Sequence, residues 1–175
     1  MKLFLERIAS PIGTILLVSD GEALRALDFH DYEDRMHRLL RRHYGAYALT
    51  DGRADGDAGR CVAAYFEGDL TALDAIPVRT GGSAFQLRVW AALRRIAPGT
   101  TTSYGGLAAS LGKPTASRAV GLANGANPVA LVVPCHRVIG ANGGLTGYGG
   151  GLPRKAWLLR HEAGLGVNAG SRAAA

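Results

Sequence analysis

Cysteine is scarce in this chain: 175 residues contain only Cys61 and Cys135. Two thiols in such different surroundings do not make a disulfide framework, so a small bridge-stapled secreted fold is excluded and both read as free thiols. No apolar run comes near the roughly 18 residues needed to cross a bilayer. The start, Met1-Lys2-Leu3-Phe4-Leu5, passes straight to Glu6 and Arg7 without the apolar stretch of a signal peptide. A cytoplasmic protein is expected. With one Cys in the first half and His30, His37 and His43 scattered, the spacing of a structural zinc site is missing, and no metal or cofactor is expected. The sharpest shortage is of acid. Residues 81–175 hold ten Lys/Arg and a single carboxylate, Glu162, a net of +9, whereas residues 1–80 hold ten Lys/Arg and thirteen acids, a net of −3. So lopsided a chain suggests a polyanionic partner, most simply nucleic acid, although its wealth of Ala, Gly and Arg also fits a GC-rich genome.

What is present suffices for a core, at 47% hydrophobic content. Residues 3–8, 14–19 and 23–29 read as three short strands separated by Ser10-Pro11-Ile12-Gly13 and Asp20-Gly21-Glu22 turns, an antiparallel meander. Residues 32–44 read as a helix with Met36, Leu39, Leu40 and His43 on one face and Arg35, Arg38, Arg41 and Arg42 around it, a basic cluster that reads as a solvated face. Residues 50–59 read as a loop, 60–66 as a helix stopped by Gly68, and 73–78 as a strand or extended link. Thr80-Gly81-Gly82 marks the boundary between a domain over 1–80 and one over 81–165, with a disordered tail over 166–175.

Ser83-Ala84-Phe85-Gln86 has the form of a capping box, so a helix should start there, burying Phe85, Val89, Leu93 and Ile96 before Pro98-Gly99 stops it. Residues 103–111, the Gly112-Lys113-Pro114 turn and residues 115–126 have helix-turn-helix spacing. The second helix is lined with Ala116, Ala119, Gly121, Ala123, Gly125 and Ala126, a slim surface that allows close approach, and Arg118 stands in its first turn. The apolar, β-branched run between Pro128 and Pro134 predicts a short buried extended piece that holds Cys135 where the chain leaves the core. Read from the residues alone, Cys135 is either an inert core thiol or a nucleophile. The second role needs a base or positive field, because a free thiol is only a few per cent ionised at neutral pH. His136 is adjacent, but neighbours in an extended segment point to opposite faces, so a bridging water is the expected link. The seven glycines between Gly140 and Gly151 mean a loop whose backbone comes close to something, with Tyr148 as an aromatic pocket wall. Pro153 opens a last helix that ends at Glu162, closed by Gly164.

Pro134-Cys135-His136-Arg137-Val138, with Asn127-Pro128 upstream and Gly147-Tyr148-Gly149-Gly150-Gly151 downstream, resembles the active-site signature of the O6-alkylguanine-DNA alkyltransferases. The likeness runs from about Phe85 to Glu162. It implies a ribonuclease-H-like α/β domain followed by a mostly helical, winged-helix-like helix-turn-helix domain. It also implies repair of O6-alkylguanine, and of O4-alkylthymine, by irreversible transfer of the alkyl group to Cys135 after base flipping from the minor groove, in a monomer acting on double-stranded DNA near the bacterial nucleoid.

Residue by residue, the resemblance makes Cys135 the nucleophile, His136 its base through water, and Glu162 the carboxylate that orients His136. Asn127 would bond the turn that holds the site, and Tyr104 would protonate or hydrogen-bond the guanine nitrogen. Arg118 would fill the vacated stack, with Thr115, Ala119, Tyr104, Ala126 and Arg137 also at the DNA. Val138, Tyr148, Gly149 and Ala130 would belong to the base pocket; Ala130 stands where some relatives carry proline, a departure that bears on the acceptance of bulky groups. Two other classes use parts of the pattern. A turnover thiol hydrolase or transferase would not need the +9 half, and a helix-turn-helix regulator or lesion-binding relative would not need Cys135.

Overall fold

The computed structural model describes residues 1–53 and 56–164. β1 (Lys2–Ile8), β2 (Ile15–Ser19) and β3 (Leu24–Phe29) form the antiparallel meander. Successive side chains point to opposite faces, so Leu16 and Val18 look one way and Ile15 and Leu17 the other. The first pair packs with Leu3, Leu5 and Ala26 against Met36 and Leu40 of α1 (Glu33–Tyr44). The second pair joins a larger core that continues through Val62 and Tyr65 of α2 (Ala58–Phe66) into Val89, Trp90 and Leu93 of the second half. Each such side chain contributes about 1.5–3 kcal/mol when fully buried, so one shared core binds the halves together.

The sheet differs from the expected one in a fourth strand. β4 (Ala48–Asp51) lies outside β1 and parallel to it, giving the order β3-β2-β1-β4 and a mixed sheet. Its residues are mostly exposed and lack alternation; pairing with β1 and an ion pair from Arg7 to Asp51 hold it, and neither is local in sequence. The segment expected as a strand or link over 73–78 is a short 3-10 turn at Ala72–Ala75, followed by a single bridge from Val78 to Leu24. The tail over 166–175 lies outside the described residues.

In the second half the capping box forms as expected: Ser83 accepts from the Gln86 N–H, and Gln86 accepts from the Ser83 N–H. It opens α3 (Ala84–Leu93), which ends before Ile96. The helix-turn-helix comprises α4 (Tyr104–Ser110) and α5 (Ser117–Gly125), so Thr115 and Ala116 precede the second helix. The Trp90 indole N–H donates to the Ala123 carbonyl at 2.8 Å and ties α3 to α5. A two-residue parallel ladder, β5 (Thr102–Ser103) with β6 (Val138–Ile139), fixes the start of α4 beside the chain leaving Cys135. The last helix, α6 (Leu152–Glu162), reaches back to the first half through Arg154, which donates to the Ile12 carbonyl at 2.8 Å and Asp31 at 3.0 Å. No helix among the described residues is long and apolar enough to cross a membrane.

The run between Pro128 and Pro134 is not extended throughout. It begins by bridging Val129 to Leu27 of β3 and then coils, with hydrogen bonds from Val132 to Ala130 and from Val133 to Val129. At its centre Leu131 has φ 71°, a left-handed conformation that costs an L residue about 1–2 kcal/mol. Burial of the whole apolar run against the shared core overrides its extended preference.

Candidate active site

Cys135 opens a 3-10 turn, Cys135–Arg137, and is 5% exposed. Asn127 builds the platform beneath it. Its side-chain amide donates to the Val133 carbonyl at 2.8 Å while its oxygen accepts from the Val129 N–H at 2.9 Å, closing the coil from both ends. Asn124 of α5 donates to the Cys135 carbonyl at 3.4 Å. The thiol is thereby fixed to the helix-turn-helix as well as to the core. Burial pushes the Cys135 thiol up from its ordinary value, with Asn127, Arg35 and Lys155 opposing. At neutral pH it therefore rests protonated, and a reaction through sulfur needs a base.

His136 is fully buried, and its Nε2 meets Glu162 Oε1 at 2.7 Å. Glu162 also accepts from the Tyr65 hydroxyl at 2.8 Å and from Arg137 at 2.8 and 3.0 Å. Burial alone would raise Glu162, but these bonds and the positive charge beside it hold the carboxylate well below the usual range. An acceptor ionised at neutral pH requires the hydrogen on Nε2, which leaves Nδ1 with a lone pair in the neutral ring. That Nδ1 is buried without a hydrogen-bond partner among the described residues, and burial lowers the affinity of His136 for a proton. No direct hydrogen bond joins Cys135 to His136 among the described residues. The imidazole is neutral at rest, with an accepting nitrogen and a carboxylate placed to stabilise it once charged.

A pocket of about 250 Å³ opens at Cys135, lined by Tyr104, Gly121, Asn124, Gly125, Gly147, Tyr148 and Gly149. It is smaller than ordinary ligand pockets of roughly 300–1,000 Å³ and suits one compact ring system. Tyr104 donates to the Thr146 carbonyl at 2.9 Å, joining α4 to the glycine loop. Part of the reason for the glycines lies across the domain boundary. A Cβ on Gly149 would collide with the Arg35 guanidinium, and one on Gly150 would sit 2.5 Å from the Phe29 ring.

Three assignments require correction. Arg137 does not face a partner: it is 5% exposed, holds Glu162 with two nitrogens and donates a third to the Ile96 carbonyl at 2.6 Å. Val138 and Ala130 are buried in the core and do not line the pocket. Gly121, Asn124, Gly125 and Gly147 line it instead. Arg118, Thr115 and Ala119 are exposed around the start of α5, and Arg118 makes no ion pair among the described residues.

Sequence reasoning also missed Lys155 and Tyr65. Lys155 is fully buried and donates to the carbonyls of Val138, Thr146 and Gly147 at 2.6, 3.2 and 3.1 Å, clamping the pocket loop. Its signal was its i, i+3, i+7 spacing with Leu158 and Glu162 on the inner face of α6. Tyr65 gave none, because its partner is 97 residues away.

A buried thiol in a pocket wall, a neutral imidazole oriented by a carboxylate, and an exposed basic helix start nearby define a thiol group-transfer site on a helix-turn-helix scaffold. The family model described as the ribonuclease-like domain of 6-O-methylguanine DNA methyltransferase matches residues 3–80, and that of its DNA binding domain matches residues 84–164. A methylated-DNA–protein-cysteine methyltransferase of Salmonella typhimurium is 50% identical over 93% of this chain and 96% of its own. One of Mycolicibacterium paratuberculosis is 59% identical over 89% of each. The crystal structure of the Mycobacterium tuberculosis O6-methylguanine methyltransferase superposes with a TM-score of 0.78 at 43% identity over 93% of both chains. The Mycobacterium tuberculosis protein in complex with DNA gives 0.80 at 41% identity over 93% of this chain and 94% of that one. The chain belongs to the 6-O-methylguanine DNA methyltransferase family.

Proposed function

We propose that this protein repairs DNA directly, moving the alkyl group of O6-alkylguanine, and of O4-alkylthymine, onto Cys135 in one irreversible step. The observation that carries the reading is Cys135 in a pocket wall with His136 held neutral and oriented by Glu162. The lesion lies inside the stacked duplex, so the nucleotide must leave the stack to reach a buried sulfur. Arg118, exposed in the first turn of α5, fills the gap from the minor-groove side. His136 Nδ1 takes the thiol proton through a water, and the imidazolium that forms is stabilised by Glu162. The sulfur attacks the alkyl carbon, the carbon–O6 bond breaks with its electron pair passing to the base, and Tyr104 supplies a proton or hydrogen bond to the ring nitrogen that becomes basic. The thioether that results does not hydrolyse, so each molecule acts once.

Residues 81–165 carry this chemistry and residues 1–80 brace it, in a monomer acting in the cytoplasm near the nucleoid. The experiment is intact-mass measurement after mixing with duplex carrying O6-methylguanine. One methyl in place of one hydrogen per chain, mapped to the Cys135 peptide and absent in Cys135→Ala, is expected. Unchanged protein with free product would mean a turnover enzyme, and methyl on Cys61 would overturn the assignment.

A further inference from the structure

A second concavity adjoins the thiol pocket. It is a groove of about 960 Å³ between α1 of the first half and α5 of the second, lined by Arg35, Arg38, Leu39, Arg41 and Arg42 on one side and by Gly121, Leu122, Gly125 and Ala126 on the other. We propose that this groove carries the sugar–phosphate backbone of the DNA strand, so that α1 extends the DNA interface onto the first domain. The proposal rests on the DNA-repair reading above and adds to it a path for the strand.

Charge is the first argument. Arg38, Arg41 and Arg42 are exposed and enter no salt bridge among the described residues, while Arg35 is fixed by Asp28 at 2.9 and 3.1 Å. Among the described residues no acid lines the groove. The acids of α1, Glu33 and Asp34, lie in its first turn, where Glu33 faces Arg7 and His37. From Arg35 to Arg42 the ridge rises about 10 Å, long enough for its exposed guanidiniums to meet successive phosphates of one strand.

Continuity is the second argument. Gly121 and Gly125 line both the groove and the Cys135 pocket, so a strand whose nucleotide enters the pocket lies at the open end of the groove. The α5 wall offers no large polar side chain to exclude a backbone, and Leu122, 73% exposed, presents an apolar surface suited to a deoxyribose. A solvated face would not require these arginines to converge on a cleft shared with a helix of the other domain.

The test is the salt dependence of duplex binding. For every phosphate that the protein ceases to neutralise, the slope of log affinity against log salt falls by about 0.9. Arg38→Ala/Arg41→Ala/Arg42→Ala should therefore reduce the slope by between two and three units and bind duplex at least tenfold more weakly at about 0.1 M salt. Arg53→Ala, the matched removal of an exposed charge outside the groove, should change affinity far less than Arg38→Ala. The unfolding midpoint of the triple variant shows whether it is folded, and Arg38→Ala alone gives the answer if it is not. Equal effects for Arg38→Ala and Arg53→Ala would reduce the result to diffuse charge and overturn the proposal. So would an unchanged slope, or a weakening of affinity seen only where the parent self-associates, which would seat a second copy in the groove. A parent that takes no methyl from duplex refutes the functional reading; a parent that does, with variants whose slope is unaltered, refutes the groove alone.

Discussion

The outer face of α5 and the interior behind Cys135 use the same residue types to opposite ends. Outside, Arg118 is exposed without an ion pair among the described residues, and Leu122 is bare. Inside, Arg137, His136, Glu162 and Lys155 are withdrawn from water, and every donor of Arg137 and Lys155 named above meets an oxygen. An exposed cation adds little to stability and remains free for a partner, whereas a buried one must be answered within the fold or destabilise it. The contrast shows that the net charge of the basic half is not all available to DNA.

The largest effect on stability should come from Arg137→Met, which leaves the Glu162 carboxylate buried without its guanidinium. A loss of about 3–5 kcal/mol in urea unfolding at pH 7 is expected, against about 0.5 kcal/mol or less for Arg118→Met. A loss below about 1 kcal/mol for Arg137→Met would mean that water reaches the pair, and the contrast would fail.

A smaller effect should follow acidification. His136 is held below its ordinary 6.5, so as pH falls past that value the unfolded chain gains a proton that the folded one refuses. Glu162 is also held low, so its contribution is fully present above its ordinary 4.5 and is lost as pH falls below it. Urea midpoints should therefore decline in two stages on going from pH 7.5 to pH 3.5, and Glu162→Gln should shrink the lower stage, to which Asp20 and Asp31, also held low, contribute as well. A flat profile in the parent would contradict the buried relay.

The smallest change in stability, and the most specific in function, belongs to Arg118→Ala. With nothing in the vacated stack, unstacking costs a few kcal/mol and the flipped state becomes rare. The ratio of duplex to free-base transfer rates should fall at least tenfold, with lesions in single strands between. Equal slowing on both substrates would assign Arg118 to the fold or the active site.

Legibility followed the same divide. The short apolar segments of β1 to β3 between turn residues and the Ser83–Gln86 capping box are local signals, and the elements stand where those signals put them. The signature points to Cys135 and His136, the wider resemblance adds Glu162, the single acid of residues 81–175, and the structure brings His136 and Glu162 into contact. What stayed hidden depends on distant partners. β4 exists through pairing with β1, Tyr65 matters through Glu162, and the role of Arg137 follows from Ile96 and Glu162 rather than from the motif that surrounds it. The coil at 128–134 was hidden for another reason: its composition favours extension, and only packing against β3 and the shared core makes φ 71° tolerable at Leu131.

The carboxylate that sets His136 lies at the end of α6, and the hydroxyl that shares it comes from α2 in the first half. A growing polypeptide thus carries the thiol at 135 for 27 further residues before the acid at 162 is made. The tautomer of His136 and the Lys155 clamp on the pocket loop both depend on α6 being in place. The buried network around His136 is therefore complete only when α6 is docked against both halves, so its integrity reports on the whole fold.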